Sequence, residues 1–128
     1  MALLVWSDIL SVKNEVIDNQ HKILINIINK FYDNILNPKG IDITTDVLNE
    51  LYEYSIYHFS CEEQIFRENN FYDLQNHLQD HARFVMTIID FKTKLLISNK
   101  NLKDEIIDFV NDWLYRHVLE EDKKFKIQ

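Results

Sequence analysis

Apolar residues recur at three- and four-residue steps in four long runs along this chain, the periodicity of amphipathic helices. The first run, from about Asn14 to Leu36, puts His21, Leu24, Ile25, Ile28, Tyr32 and Ile35 on one face. Asn37, Pro38, Lys39 and Gly40 end it. The second starts near Thr44 or Thr45, either a good N-cap, and its inward stripe reads Leu48, Leu51, Ser55, His58, Phe59, Glu62, Ile65 and Phe66. After a short break at Asn69 and Asn70, the third carries Leu74, His77, Leu78, His81, Phe84, Val85, Ile88 and Leu95. Ser98 to Asn101 forms the last turn. The fourth run carries Leu102, Ile106, Phe109, Val110, Trp113, Leu114 and His117 and stops near Glu120. Asn101 with Asp104 resembles a capping box with Asp in the usual Glu place. Ahead of these lies an arm of about residues 1–13, apolar at Leu3, Leu4, Val5, Trp6, Ile9 and Leu10, with Trp6 expected to pack it onto the body. Four amphipathic helices with short connections predict an all-α fold, an up-down-up-down antiparallel four-helix bundle with an N-terminal arm. The expected organisation is one domain over 1–128, with the bundle over about 14–122.

Composition narrows the reading. One Gly and one Pro among 128 residues leave little turn chemistry for sheets or loop-rich folds. A net charge of −7 disfavours nucleic acid and anionic membranes as partners. No stretch approaches the roughly 20 apolar residues of a membrane span, and the N-terminus lacks the basic region of a signal peptide. Cys61, the only cysteine, excludes a disulfide framework and fits a reducing, cytoplasmic setting. It reads as a small, partly buried hydrophobe.

The five histidines, His21, His58, His77, His81 and His117, all fall on the inward stripes. A bundle core normally excludes this many imidazoles, because each buried ring nitrogen needs a partner. Metal ions satisfy all of them together. His77 and His81 stand one turn apart on one face, as do His58 and Glu62. His117 and Asp122 are five apart, a divergence of roughly 140° on an ideal helix, so the fourth helix is expected to end or loosen between them and let Asp122 turn back. Two six-coordinate ions held by five histidines, two bridging carboxylates and a bridging oxide or hydroxide have one position left open. That position sits on the ion with two histidines, and an open position on a redox metal is where a small ligand binds. Paired bridging carboxylates point to a dinuclear iron or manganese centre, and the lack of cysteine ligands argues against structural zinc.

The order His, His-x-x-x-Glu, His-x-x-x-His, His-x-x-x-x-Asp across four helices resembles hemerythrin, in particular its single-domain bacterial form. The segments Val5-Trp6-Ser7-Asp8, Ile17-Asp18-Asn19-Gln20-His21-Lys22 and His58-Phe59-Ser60-Cys61-Glu62-Glu63 are also similar to that family. The resemblance covers nearly the whole chain and implies two non-haem iron ions bridged by oxide or hydroxide and by Glu62 and Asp122. His77, His81 and His117 would hold the saturated iron, and His21 and His58 the open one. It further implies reversible dioxygen binding in an apolar pocket of Leu24, Phe59, Trp113, Leu114 and Val118, positions that ordinary bundle packing explains equally well. Asp18 and Gln20 are candidates to orient a ligand imidazole. The expected function is therefore oxygen carriage, storage or local delivery to an oxygen-consuming enzyme, rather than catalysis. The competing readings are an oxygen, redox or nitric-oxide sensor, disfavoured by the lack of an output segment, and a di-iron oxidase or peroxidase. Di-iron bundles that activate oxygen use paired Glu-x-x-His motifs instead.

Overall fold

The computed structural model describes residues 4–37, 42–97, 101–122 and 124–125, the side chains of residues 120–122 excepted. Among these residues four helices follow a 3-10 turn at Asp8–Leu10: α1 over Glu15–Leu36, α2 over Thr44–Glu68, α3 over Leu74–Ile97 and α4 over Lys103–Arg116. A π-helical segment, His117–Asp122, continues α4. Helix α1 packs against α2 and α4, and α2 packs against α3. No helix among the described residues is long and apolar enough to cross a membrane. Leu3 of the arm, the helix-ending Pro38, Lys39 and Gly40, and Ser98 to Lys100 of the last turn lie outside the described residues, as do the side chains of Glu120, Glu121 and Asp122.

The helix ends show how local chemistry sets these bounds. Asn14 caps α1, its side chain accepting from the Ile17 amide at 3.1 Å. Neither Thr44 nor Thr45 caps α2. The cap position is Ile43, and the Asp42 carboxylate accepts from both the Thr44 amide, at 2.9 Å, and its hydroxyl, at 2.6 Å. An acceptor two residues ahead thus replaces the cap the threonines offer. At α4 the cap position is Leu102 rather than Asn101, and Asn101 contributes by accepting from the Lys103 amide at 3.0 Å. Helix α2 ends in a Schellman motif. The Asn70 amide donates to the Arg67 carbonyl at 3.2 Å and the Phe71 amide to the Phe66 carbonyl at 2.9 Å. Asn70 takes the left-handed conformation, φ 52°, where Asn stands in for glycine. The hydrophobic contact that accompanies this motif is Phe66 against Phe71, ring centroids 4.6 Å apart.

The core has two parts. The larger, built on Leu24, Ile28, Phe31, Leu48, Leu51, Ile88, Ile106 and Val110, fills most of the bundle. The smaller, Val12, Ile17, Phe66 and Phe71, closes the other side of the histidines, with Phe66 and Phe71 4.9 and 5.2 Å from the His77 ring. The arm is fastened more by Leu4, Leu10 and Val12, which are buried, than by the half-buried Trp6. Asn29 donates to the Leu4 carbonyl at 2.7 Å. Asp18 accepts from the Ser11 hydroxyl and the Val12 amide, at 2.7 and 2.9 Å. Asp18 therefore anchors the arm, which accounts for its place in the sequence without any imidazole.

Candidate metal centre

Each histidine occupies a position where its helix turns inward, and the antiparallel order brings those positions to one level. His21 lies near the start of α1, His58 and Glu62 in the second half of α2, His77 and His81 at the start of α3, and His117 just past the end of α4. Helices that run up, down, up and down put those four stretches at the same end. All five histidines are at most 2% exposed and Glu62 is 0% exposed.

Glu62 sits at the centre and divides the histidines. Its Oε2 lies 3.3 Å from His21 Nε2 and 3.2 Å from His58 Nε2. Its Oε1 lies 3.0 Å from His81 Nε2 and 3.6 Å from His117 Nε2. The Nε2 atoms of His81 and His117 are 3.3 Å apart. Two three-residue groups have their ligand atoms within 4.8 Å of one another, His21 with His58 and Glu62, and Glu62 with His77 and His117. Burial would push the Glu62 carboxyl up, but the neighbouring His58 charge and hydrogen bonds from His117, His21 and His58 outweigh it and hold the group well below the usual carboxylate range. For His81, burial opposes the charged form, and hydrogen bonds to Glu62 and Glu63 overcome it, so its pKa is raised.

The Nδ1 atoms of His58, His77, His81 and His117 face oxygen acceptors. His58 Nδ1 donates to Gln20 Oε1 at 2.7 Å and His81 Nδ1 to Glu63 Oε2 at 2.8 Å. His117 Nδ1 donates to Asp80 Oδ2. His77 Nδ1 lies 3.4 Å from the Asp73 carbonyl and 3.7 Å from its carboxylate. Burial opposes the Asp80 charge, but the His117 hydrogen bond and charge, with Arg116 and Arg83 beside them, lower its pKa. An acceptor on Nδ1 fixes the proton there and leaves the Nε2 lone pair for a metal.

This donor set fits a metal. Imidazole nitrogens from four helices converge on one carboxylate, more than one anion can satisfy, and once they are deprotonated a cation between them answers both sides at once. Imidazole with carboxylate and no thiolate suits iron, copper or zinc. Aromatic rings stack on two of the imidazoles. Phe59 stacks on His81 at 3.9 Å and 6°, and Trp113 on His117 at 4.3 Å and 11°.

The structure thus brings together His21, His58, Glu62, His77, His81 and His117. Asp122 belongs to the π-helical backbone, so α4 does loosen after His117, while its side chain lies outside the described residues. Leu24, Phe59, Trp113, Leu114 and Val118 are all buried in the larger core, with Phe59 and Trp113 lying on His81 and His117. Gln20 orients a histidine and Asp18 does not. Sequence reasoning missed Glu63, Asp73 and Asp80. Asp80 had left a signal, since it continues the buried α3 series His77, Phe84, Ile88 and Phe91 at three- and four-residue steps. Asp73 stands one turn before His77. Glu63 left none, because its partner comes from another helix.

Residues 12–126 match the family model described as hemerythrin HHE cation binding domain. The chain is 31% identical to a bacteriohemerythrin of Clostridium acetobutylicum, over 96% of this chain and 98% of that one. It is 29% identical to a bacteriohemerythrin of Pseudomonas aeruginosa, over 95% and 78%. A hemerythrin-like protein of Naegleria gruberi is 30% identical over 94% and 89%. A crystal structure of wild-type hemerythrin superposes with a TM-score of 0.85 at 24% identity, covering 98% of this chain and 97% of that one.

Proposed function

Because the chain belongs to the hemerythrin HHE cation-binding family, we propose that it holds two non-haem irons and binds dioxygen reversibly. The observation that carries this is the division made by Glu62, with His21 and His58 on one oxygen and His81 and His117 on the other. On this reading Glu62 would hold both ions. His77, His81 and His117 would hold one of them, and His21 and His58 its neighbour. Asp122 would be the second carboxylate to hold the pair, with an oxide or hydroxide beside it. The support for Asp122 is the backbone, since the i to i+5 bonding of a π-helix sets residue 122 a turn above residue 117.

When bound, the iron pair supplies the electrons and the open position that reversible dioxygen binding requires. The chain's own residues do the rest. Gln20, Glu63 and Asp80 hold Nδ1 protons and so aim Nε2 inward. Leu24, Phe59, Trp113, Leu114 and Val118 line the centre with apolar surface and keep out water, the proton source that would make binding irreversible. A histidine-rich set with few carboxylates favours binding over oxygen activation. The reading implies a cytoplasmic protein, where free Cys61 stays reduced, and an oxygen-consuming enzyme as the recipient.

The test is visible spectroscopy on protein reduced without air, exposed to oxygen and then stripped of it. A band that appears and disappears over repeated cycles supports the proposal. A one-way change with product formation overturns it in favour of an oxidase or peroxidase.

A further inference from the structure

The acceptors that the described residues give to His81 and His117 on one side of Glu62, and to His58 on the other, differ in charge. On the Oε1 side, His81 donates to Glu63 and His117 to Asp80, both carboxylates. His77 faces the Asp73 carbonyl, with that carboxylate 3.7 Å away. On the Oε2 side, His58 donates to the neutral amide of Gln20. A carboxylate accepting from Nδ1 draws the proton away from the ring and makes the imidazole a stronger donor, whereas an amide does so weakly. The low-dielectric interior magnifies the difference.

We infer that Glu63 and Gln20 are positioning residues that make the two metal sites electronically unequal, the Oε1-side metal being the easier to oxidise. This rests on the di-iron reading above. The stronger donors stabilise the higher oxidation state on the side of His77, His81 and His117. The weaker donor leaves the other ion electron-poor, which suits the ion with the open position. Glu63 is a cleaner lever than Asp80, whose charge is already answered by Arg83 at 3.5 Å and by nearby Arg116.

The test exchanges charge for amide while keeping shape. Iron-loaded protein is titrated with redox mediators at fixed pH, so that one electron enters per ion and the histidine Nδ1 protons stay in place. Two reduction steps are followed for the wild type, Glu63→Gln, Gln20→Glu and the double exchange. Glu63→Gln should raise the mean potential, with a change of about tenfold in the equilibrium constant, about 59 mV for one electron. Gln20→Glu should lower it by a similar factor. Each single exchange should narrow the gap between the steps, and the double exchange should restore the mean. A general loosening of the site would move both single variants the same way, and that outcome overturns the inference, as does no shift in either. If Gln20→Glu fails to hold iron, Glu63→Gln decides alone, a rise supporting the inference and a fall or no change refuting it. A wild type that does not carry two irons would overturn the di-iron reading itself, a result metal analysis separates from the others.

Discussion

Replacing Glu62 by Ala removes the one anion that, among the described residues, four imidazoles share. The carboxylate is fully buried, and its oxygens lie 3.0 to 3.6 Å from the Nε2 atoms of His21, His58, His81 and His117. Taking away one partner of a buried, hydrogen-bonded charge cluster strands the others, at a cost of about 3–5 kcal/mol. For a domain of this size each kcal/mol moves the midpoint by about 3–5 °C, so the metal-free variant should melt about 10–25 °C below metal-free wild type. Iron should be lost from both sites together, because the residue touches both histidine sets. Glu62→Gln separates charge from volume, since the amide fills the space but presents an N–H₂ where an acceptor is needed, and it too should fail to bind iron. The control is Glu50→Ala, which removes a half-exposed carboxylate 3.2 Å from Lys30 and should cost under about 1 kcal/mol. The assay is thermal melting by circular dichroism with metal analysis of each variant. If Glu62→Ala melts with Glu50→Ala, or keeps two irons, the central role of Glu62 is wrong.

Stripping iron from the wild type should itself lower the melting temperature, because a ligand that binds only the folded state adds roughly 2.7 kcal/mol at a hundredfold excess over its dissociation constant; equal midpoints would show that the histidines are no buried metal site. The stability of metal-free protein should depend on pH in both directions. Glu62 is held below its ordinary 4.5, so its contribution is complete above that pH and is lost as pH falls through the folded value. His81 is raised above its ordinary 6.5, so its contribution is complete below that pH and is lost as pH rises through the folded value. Chemical denaturation should therefore find maximal stability between the two, and a monotonic profile would contradict the assignment. Leu114→Ser should still bind iron and oxygen but autoxidise faster and release more peroxide than Leu102→Ser, a buried change at the far end of α4; equal rates would reduce Leu114 to a packing residue.

The helices and the inward histidines were legible because periodicity records burial directly. His77 and His81 share a face for the same reason that Leu24 and Ile28 do. The helix starts were less legible. Thr44 has a good capping side chain, yet Asp42 outcompetes it, and only the backbone path shows which oxygen reaches the Thr44 amide. The loosening after His117 follows from the need to bring Asp122 round, and the π-helical backbone of His117–Asp122 agrees with it. The outer acceptors were the least legible. Gln20 stands next to His21 in sequence but serves His58 across the bundle, and Glu63 serves His81. Such pairings depend on how two helices are rotated against each other, and the spacing within one helix does not encode that.

The most direct test of two metal sites divided by Glu62 is anaerobic titration of metal-free protein with ferrous iron, read by Mössbauer spectroscopy. The account predicts saturation at about two irons per chain and, in the air-exposed protein, two resolved iron signals, one for the ion with three histidines and one for the ion with two. Saturation at a single iron, or preference for one zinc per chain in iron-replete medium, would contradict it.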